Sequence, residues 1–304
     1  MDVINQASGK NWTAYNGDSC EVLKSIPDNS IDYSCFSPPF QGLYVYSNSN
    51  RDLGNCKTDE EFYTHFRFIA GQLRRVVKPG RLVSIHCMLI PAMKERDGYI
   101  GLKDFRGDII RLFQDAGFIF HGEVTIWKDP LLEAVRTKAL GLMHKQLCKD
   151  SSRCRQGLPD YIVTMRTPGE NKNLISHENG MVTYAGDDEV KKGVYSHEVW
   201  RKYASPVWMD IRQTNTLNKN GAREEKDERH ICPLQLDSIE RCIVLWSKPG
   251  DVVLSPFMGI GSEGYQAIKM KRKYIGIELK ESYYSCGVKN LINAESVLAQ
   301  GRLF

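Results

Sequence analysis

The stretch 251-DVVLSPFMGIGSEGYQAI-268 decides the fold. Its first residues, Asp251 to Ser255, are apolar and β-branched, as in a strand buried on both faces. From Ser262 onward the pattern turns helical. Gly259 and Gly261 lie at the crossing from strand to helix. In an open α/β sheet this junction binds nucleotide-like ligands, because glycine lets the backbone approach the ligand closely. Pro256 and Phe257 stand just before it and offer an apolar wall for a purine or a methionine chain. The next strand, 273-KYIGIE-278, ends in Glu278, where a carboxylate can accept hydrogen bonds from ribose hydroxyls. No P-loop lysine stands nearby, and the cofactor need not be a dinucleotide.

Working outward, strands and helices alternate on both flanks of the chain. Trp12 to Asn16 and 31-IDYSCF-36 read as strands, with a short helix between them. Thr58 and Glu61 form a capping box, and Phe62, Phe66, Ile69, Leu73 and Val76 then recur at helical spacing. Lys78-Pro79-Gly80 is expected to stop that helix, with a strand from Arg81. A helix follows at 104–117 and a strand at 118–127. After His230, 233-PLQLDSIERCIVLWSKPG-250 reads as a helix closed by a second Lys-Pro-Gly. This rhythm predicts an α/β fold with a mostly parallel sheet. Residues 41–57 read as a loop. Residues 129–229 show no sustained alternation and read as an insertion. The expected organisation is therefore a catalytic half over 1–128, an inserted region over 129–229, and a cofactor-binding half of the same domain over 230–304.

The strand 31–36 ends abruptly in Ser37-Pro38-Pro39-Phe40. Two prolines cannot continue a central strand, since neither donates to the ladder. Each also bars the residue before it from helical geometry, so the turn is stiff and extended. The Ser37 hydroxyl and the Pro38 carbonyl can then both face outward as acceptors. Such a turn suits a planar NH2 group presented edge-on, with Phe40 stacked on the ring that carries it. A nucleobase amine meets both demands. Two acceptors gripping its hydrogens favour a pyramidal nitrogen, whose lone pair can attack an activated methyl. The base must leave a duplex to arrive there, at roughly a few kcal/mol.

Composition sets the outer bounds. A chain of 304 residues, 41% hydrophobic, can bury a large core. No apolar run reaches about eighteen residues, so no membrane span is expected, and the polar start shows no signal peptide. Nine cysteines at scattered spacing, without C-x-x-C, read as reduced thiols of a cytoplasmic protein. The seven histidines show no ligand spacing, and no metal is expected. The net charge of +4 permits a polyanionic partner without requiring one. More telling is 136-RTKALGLMHKQLCKDSSRCR-155. There Arg136, Lys138, Lys145, Lys149, Arg153 and Arg155 stand against the single acid Asp150, as in a phosphate-contacting surface.

SPPF after a buried strand, with PFMGIGS and YIGIE near the C-terminus, resembles the S-adenosylmethionine-dependent DNA amino-methyltransferases. The order, amine motif first and cofactor loop last, resembles their β class. The resemblance implies a Rossmann-like methyltransferase sheet in circularly permuted order, with a target-recognition insertion between the halves. It implies S-adenosylmethionine held by Asp18, Ser255, Phe257, Gly259, Gly261 and Glu278. It also implies double-stranded DNA as partner, in the cytoplasm of a bacterial or phage-infected cell. A homodimer and a cognate restriction nuclease are further partners it allows. Many relatives carry an acid where Ser255 stands, which bears on the contact to the methionine amino group. The segment from His230 to Ile243 resembles the one covering the methionine portion. Serine at the head of SPPF points to N4 of cytosine, with N6 of adenine as the alternative. An RNA or protein-amide methyltransferase, a non-catalytic DNA-binding protein and a nicotinamide dehydrogenase explain fewer of these features.

Overall fold

A computed structural model describes residues 3–40, 56, 58–92, 94–177, 194–218 and 233–300. The expected loop 41–57, apart from Cys56, lies outside the described residues, as do residues 219–232 with His230.

Eleven strands are present among the described residues: β1 (Asn5–Ser8), β2 (Trp12–Asn16), β3 (Ile31–Phe36), β4 (Val77–Met88), β5 (Ile90–Ala92), β6 (Gly101–Lys103), β7 (Ile119–Ile126), β8 (Asp160–Arg166), β9 (Val207–Trp208), β10 (Val252–Ser255) and β11 (Lys273–Glu278). Nine form one sheet in the order β1-β2-β11-β10-β3-β4-β8-β7-β9, and β5 and β6 pair as a separate hairpin. From β2 to β4 every neighbouring pair is parallel. The strands β10 and β11 near the C-terminus thus slot between β2 and β3 near the N-terminus. β8 runs antiparallel to both β4 and β7, and β1 antiparallel to β2. The sheet is mixed, with a parallel centre.

Both faces are covered. The helix Asp59–Val76 buries the apolar stripe read from its spacing, Phe62, Phe66, Ile69, Leu73 and Val76, against one face. Its start is capped as expected, with Thr58 Oγ1 accepting from the Glu61 amide at 3.1 Å. The helix Phe105–Asp115 adds Phe105, Ile109 and Phe113 to the same cluster. On the other face, the helix Leu236–Trp246 contributes Ile239, Cys242 and Ile243, and the helix Glu281–Gln300 contributes Leu291 and Ala294. Each large apolar side chain among these is worth roughly 1.5–3 kcal/mol when fully buried.

Three sequence expectations need correction. The helix ends at Val76 and β4 begins at once, so Lys78-Pro79-Gly80 lies within the strand rather than before it. The pairing of β3 with β4 shifts register there, between Ile31↔Val77 and Tyr33↔Leu82, and Gly80 takes φ +70°. The span 129–229 is also not wholly an insertion, because β8 is a largely buried strand of the main sheet. Its short length and non-helical flanks hide it from a search for alternation. Finally, β1 has no apolar alternation to announce it, being a polar strand at the sheet edge.

Candidate active site

Adjacent parallel strands bring the two motifs together. Val253 pairs with Tyr33 and Leu254 with Ser34. Continuing that register sets Phe257 beside Ser37. The contact of the Phe36 and Phe257 rings, 5.7 Å between centroids, agrees. The SPPF turn and the glycine loop therefore leave neighbouring strands at the same carboxyl end of the sheet, where open α/β sheets bind ligands.

The glycine loop is built for close approach. Gly259 and Gly261 take φ +53° and +84°, a region that disfavours side chains. A Cβ on Gly259 would point into open space, so its backbone is approachable from that side. Gly261 caps the helix Ser262–Lys269, and a Cβ there would lie 3.3 Å from the Gly287 backbone. Gly264, left out of the loop by the sequence reading, completes the G-x-G-x-x-G spacing. It packs against Leu291 and Tyr274 with no room for a side chain, which suits the third glycine's role in close packing. Glu278 holds the loop: Oε2 accepts from the Gly259 amide at 2.8 Å, and Oε1 accepts from the Lys280 amide at 2.9 Å. Each carboxylate oxygen has a second lone pair with which to accept from a hydroxyl.

Asp18 caps the helix Ser19–Ser25, accepting from the Cys20 amide at 2.8 Å. Ser19 Oγ donates to the Pro256 carbonyl and so ties that helix to the glycine loop. Phe257 is half-buried between Phe36 and Phe66. Ser255 is placed differently from its neighbours. It is wholly buried beside the Tyr274 phenol, so its side chain faces the interior.

On the acceptor side, Ser37 and Pro39 are half-buried, while Pro38 and Phe40 are buried. Phe40 packs edge-on against Phe105, at 6.0 Å, and His86, at 6.2 Å. Ser37 Oγ lies 3.1 Å from His86 Nδ1. The register explains this contact, since Phe36 pairs with Ile85 and the next pair along is Ser37 with His86. His86 Nε2 in turn lies 3.2 Å from Asp160 Oδ2, within hydrogen-bond distance although not well aligned for one. Lys128 Nζ lies 2.5 Å from Asp160 Oδ1. His86, Asp160 and Lys128 share one sheet face by strand parity, because Asp160 pairs with Met88 and with Ile126, each two residues from its partner here. Burial by itself would push the Asp160 carboxyl up. Its neighbours His86 and Lys128 outweigh burial and hold it below its ordinary value of 3.8. The stability this contributes is present above that value and is lost as pH falls below it. The sequence reading missed all three residues. The available signal was a histidine near the carboxyl end of the strand beside SPPF.

The basic residues lie near this site. Arg136, Lys138, Lys145, Lys149 and Arg153 are exposed, and Arg155 is half-buried. Arg153 meets Asp150 at 3.2 Å. Their short helices, Pro130–Thr137 and His144–Lys149, are anchored by buried Glu133, which accepts from the Leu158 amide at 3.1 Å, two residues before Asp160.

The family model described as a DNA methylase, for N6 and N4 methyltransferases, matches residues 31–289. The chain belongs to this family. It is 43% identical to DNA adenine methyltransferase YhdJ of Escherichia coli (strain K12), over 92% of this chain and 82% of that protein. It is 39% identical to Type II methyltransferase M.Cfr9I of Citrobacter freundii, over 92% of this chain and 87% of that one. Type II methyltransferase M.BglII of Bacillus subtilis is 27% identical, and the chain spans 66% of its length. The fold is that of the PvuII DNA methyltransferase (cytosine-N4-specific), with TM-score 0.63 at 17% identity over 98% of this chain and 96% of that one. It is also that of a DNA modification methylase from Thermus thermophilus, solved with S-adenosyl-L-methionine, with TM-score 0.63 at 20% identity over 92% and 94%. The amino-methyltransferases of this family use S-adenosylmethionine. The approachable Gly259 backbone, the Glu278 carboxylate and the Phe257 wall fit that cofactor.

Proposed function

We propose that this DNA amino-methyltransferase methylates the N4 amine of a cytosine taken out of duplex DNA. The observation that carries this reading is the Ser37–His86 contact, directly beside the glycine loop. It puts a neutral hydroxyl acceptor, held by a histidine, where an amine must sit to meet a methyl donor.

Glu278, Gly259, Gly261 and Phe257 would hold S-adenosylmethionine, with Asp18 and Ser255 supporting the pocket from either side. Bound there, the cofactor supplies an electrophilic methyl group. The protein supplies position: Ser37 and the Pro38 carbonyl accept from the two amine hydrogens and orient the nitrogen lone pair. A neutral amine becomes acidic only as its nitrogen gains positive charge, so the acceptor need not be a strong base. Phe40 and Phe105 wall the pocket on the ring side.

N6 of adenine is the second reading. The 43% identity to a protein named as an adenine methyltransferase favours it, and both bases offer the same NH2 group to Ser37. Digestion of modified duplex DNA to nucleosides, followed by mass spectrometry, separates the two. N4-methylcytosine is expected. N6-methyladenine alone would overturn the base assignment while keeping the amine chemistry. 5-Methylcytosine would overturn both, since carbon methylation needs a cysteine nucleophile and the turn has Ser37 followed by prolines.

Two further outcomes are expected. Glu278→Ala should weaken cofactor binding by about 1.5–3 kcal/mol, because a charged acceptor and the anchor of Gly259 are lost together. Calorimetry showing unchanged affinity would remove Glu278 from the site. Charge reversal of exposed Lys145 and Lys149 should weaken binding to every duplex alike and lower the salt slope by about two. These lysines are cleaner probes than Arg153, which Asp150 already engages, or Arg155, which is half-buried. An unaltered slope would return the segment to an ordinary solvated surface.

A further inference from the structure

We infer that His86, Asp160 and Lys128 form a positioning chain that fixes the Ser37 hydroxyl and removes the proton released by the target amine. The inference rests on the amine-transfer reading above. Alone, a serine hydroxyl can rotate, and it opposes an incoming N–H whenever its own proton points the same way. The structure offers a means to prevent that. With Nε2–H turned to the carboxylate of Asp160, His86 has Nδ1 left as an acceptor, 3.1 Å from Ser37 Oγ. The serine proton is then held on His86, and an oxygen lone pair faces the amine.

Every charged group packed on the chain supports this assignment. From β8 comes Asp160, from the end of β7 comes Lys128, and from the SPPF turn come Ser37 and the uncharged ring of Phe40. Lys128 keeps the buried Asp160 ionised, so Asp160 acts as an acceptor for Nε2–H and not as a donor. The His86–Asp160 approach is off-line here, and catalytic hydrogen bonds often tighten only once substrate is present.

The proton route balances. As the amine nitrogen gains its methyl, it carries one positive charge. One N–H bond breaks and an O–H bond forms at Ser37 Oγ. The original Ser37 O–H bond breaks and an N–H bond forms at His86 Nδ1. The positive charge ends on the imidazole, opposite the Asp160 carboxylate. No oxidant, reductant or further reactant is needed. His86 and Asp160 are positioning residues, acting on the substrate through Ser37.

The test combines a spectroscopic and a kinetic reading. In the protein with 15N-labelled imidazoles, the His86 signal, assigned by its loss in His86→Gln, should show an unprotonated Nδ1 and a protonated Nε2. Asp160→Asn should disturb that pattern. In single-turnover assays with duplex DNA and S-adenosylmethionine, His86→Gln should lower the methyl-transfer rate about 10²-fold. Its affinity for the cofactor, which also reports folding, should match the native protein's. A protonated Nδ1 in the native protein would overturn the inference, as would a native rate in His86→Gln. If the native protein methylates no DNA at all, the functional reading fails, and the 15N pattern still decides the orientation of Ser37.

Discussion

Replacing Ser37 with alanine is expected to cut methyl transfer by about 10²–10⁴-fold, the usual scale for a group that handles a proton in the transition state. Affinity for S-adenosylmethionine should hardly move. The two effects separate because the groups belong to different strands. Ser37 stands in the turn after β3 and touches His86, while the cofactor groups Gly259 and Glu278 follow β10 and end β11. The substitution removes a single oxygen from a half-buried position, so it opens little cavity and the fold should survive. Single-turnover kinetics with labelled cofactor, paired with calorimetry, give both readings on one sample. Native turnover in Ser37→Ala would sink the acceptor role. Parallel loss of cofactor affinity would mean instead that Ser37 shapes the donor pocket.

What the sequence disclosed about this site, and what it concealed, follows from how far each signal reaches along the chain. SPPF and PFMGIGS are short and contiguous, and their chemistry depends on backbone restraint that proline and glycine impose locally. They could be read directly, and so could the stripe Phe62–Val76, because a helix repeats its buried face every three or four residues. The chain Ser37, His86, Lys128, Asp160 has no such local trace. Its members come from four separate segments, and they meet only because β8 runs antiparallel beside β4 at one particular register. A one-residue slip would turn Asp160 to the other face of the sheet. The same limit explains Ser255. Its neighbour Phe257 lies near the loop as expected, but strand alternation directs the serine inward to Tyr274.

The largest effect on stability is expected at the opposite end of the sheet, from Arg81→Ala. Arg81 is almost wholly buried, with 1% of its surface exposed. Its Nε donates to the Asp32 carbonyl at 2.6 Å, one terminal nitrogen donates to the Asn173 carbonyl at 3.1 Å, and the other pairs with Asp251. The buried Asp32 carboxylate meets Lys78 at 2.6 Å and accepts from the Val252 amide at 2.9 Å. The network thus stitches β3, β4 and β10 together at their amino ends. As a set it need not be stabilising, since desolvating the ions offsets their attraction. Removing one partner is different, because Asp251 and the Asp32 carbonyl are then left buried without the guanidinium, at a cost of about 3–5 kcal/mol. Urea unfolding should show that loss as a lower midpoint. Arg81→Lys should recover only part of it, because an ammonium cannot reproduce the planar fork that reaches three acceptors at once. Methyl transfer per folded molecule should be unchanged in both variants, since Ser37 and His86 lie at the carboxyl ends of the same strands. A midpoint near the native one would show that the two aspartates find other partners when the arginine is gone.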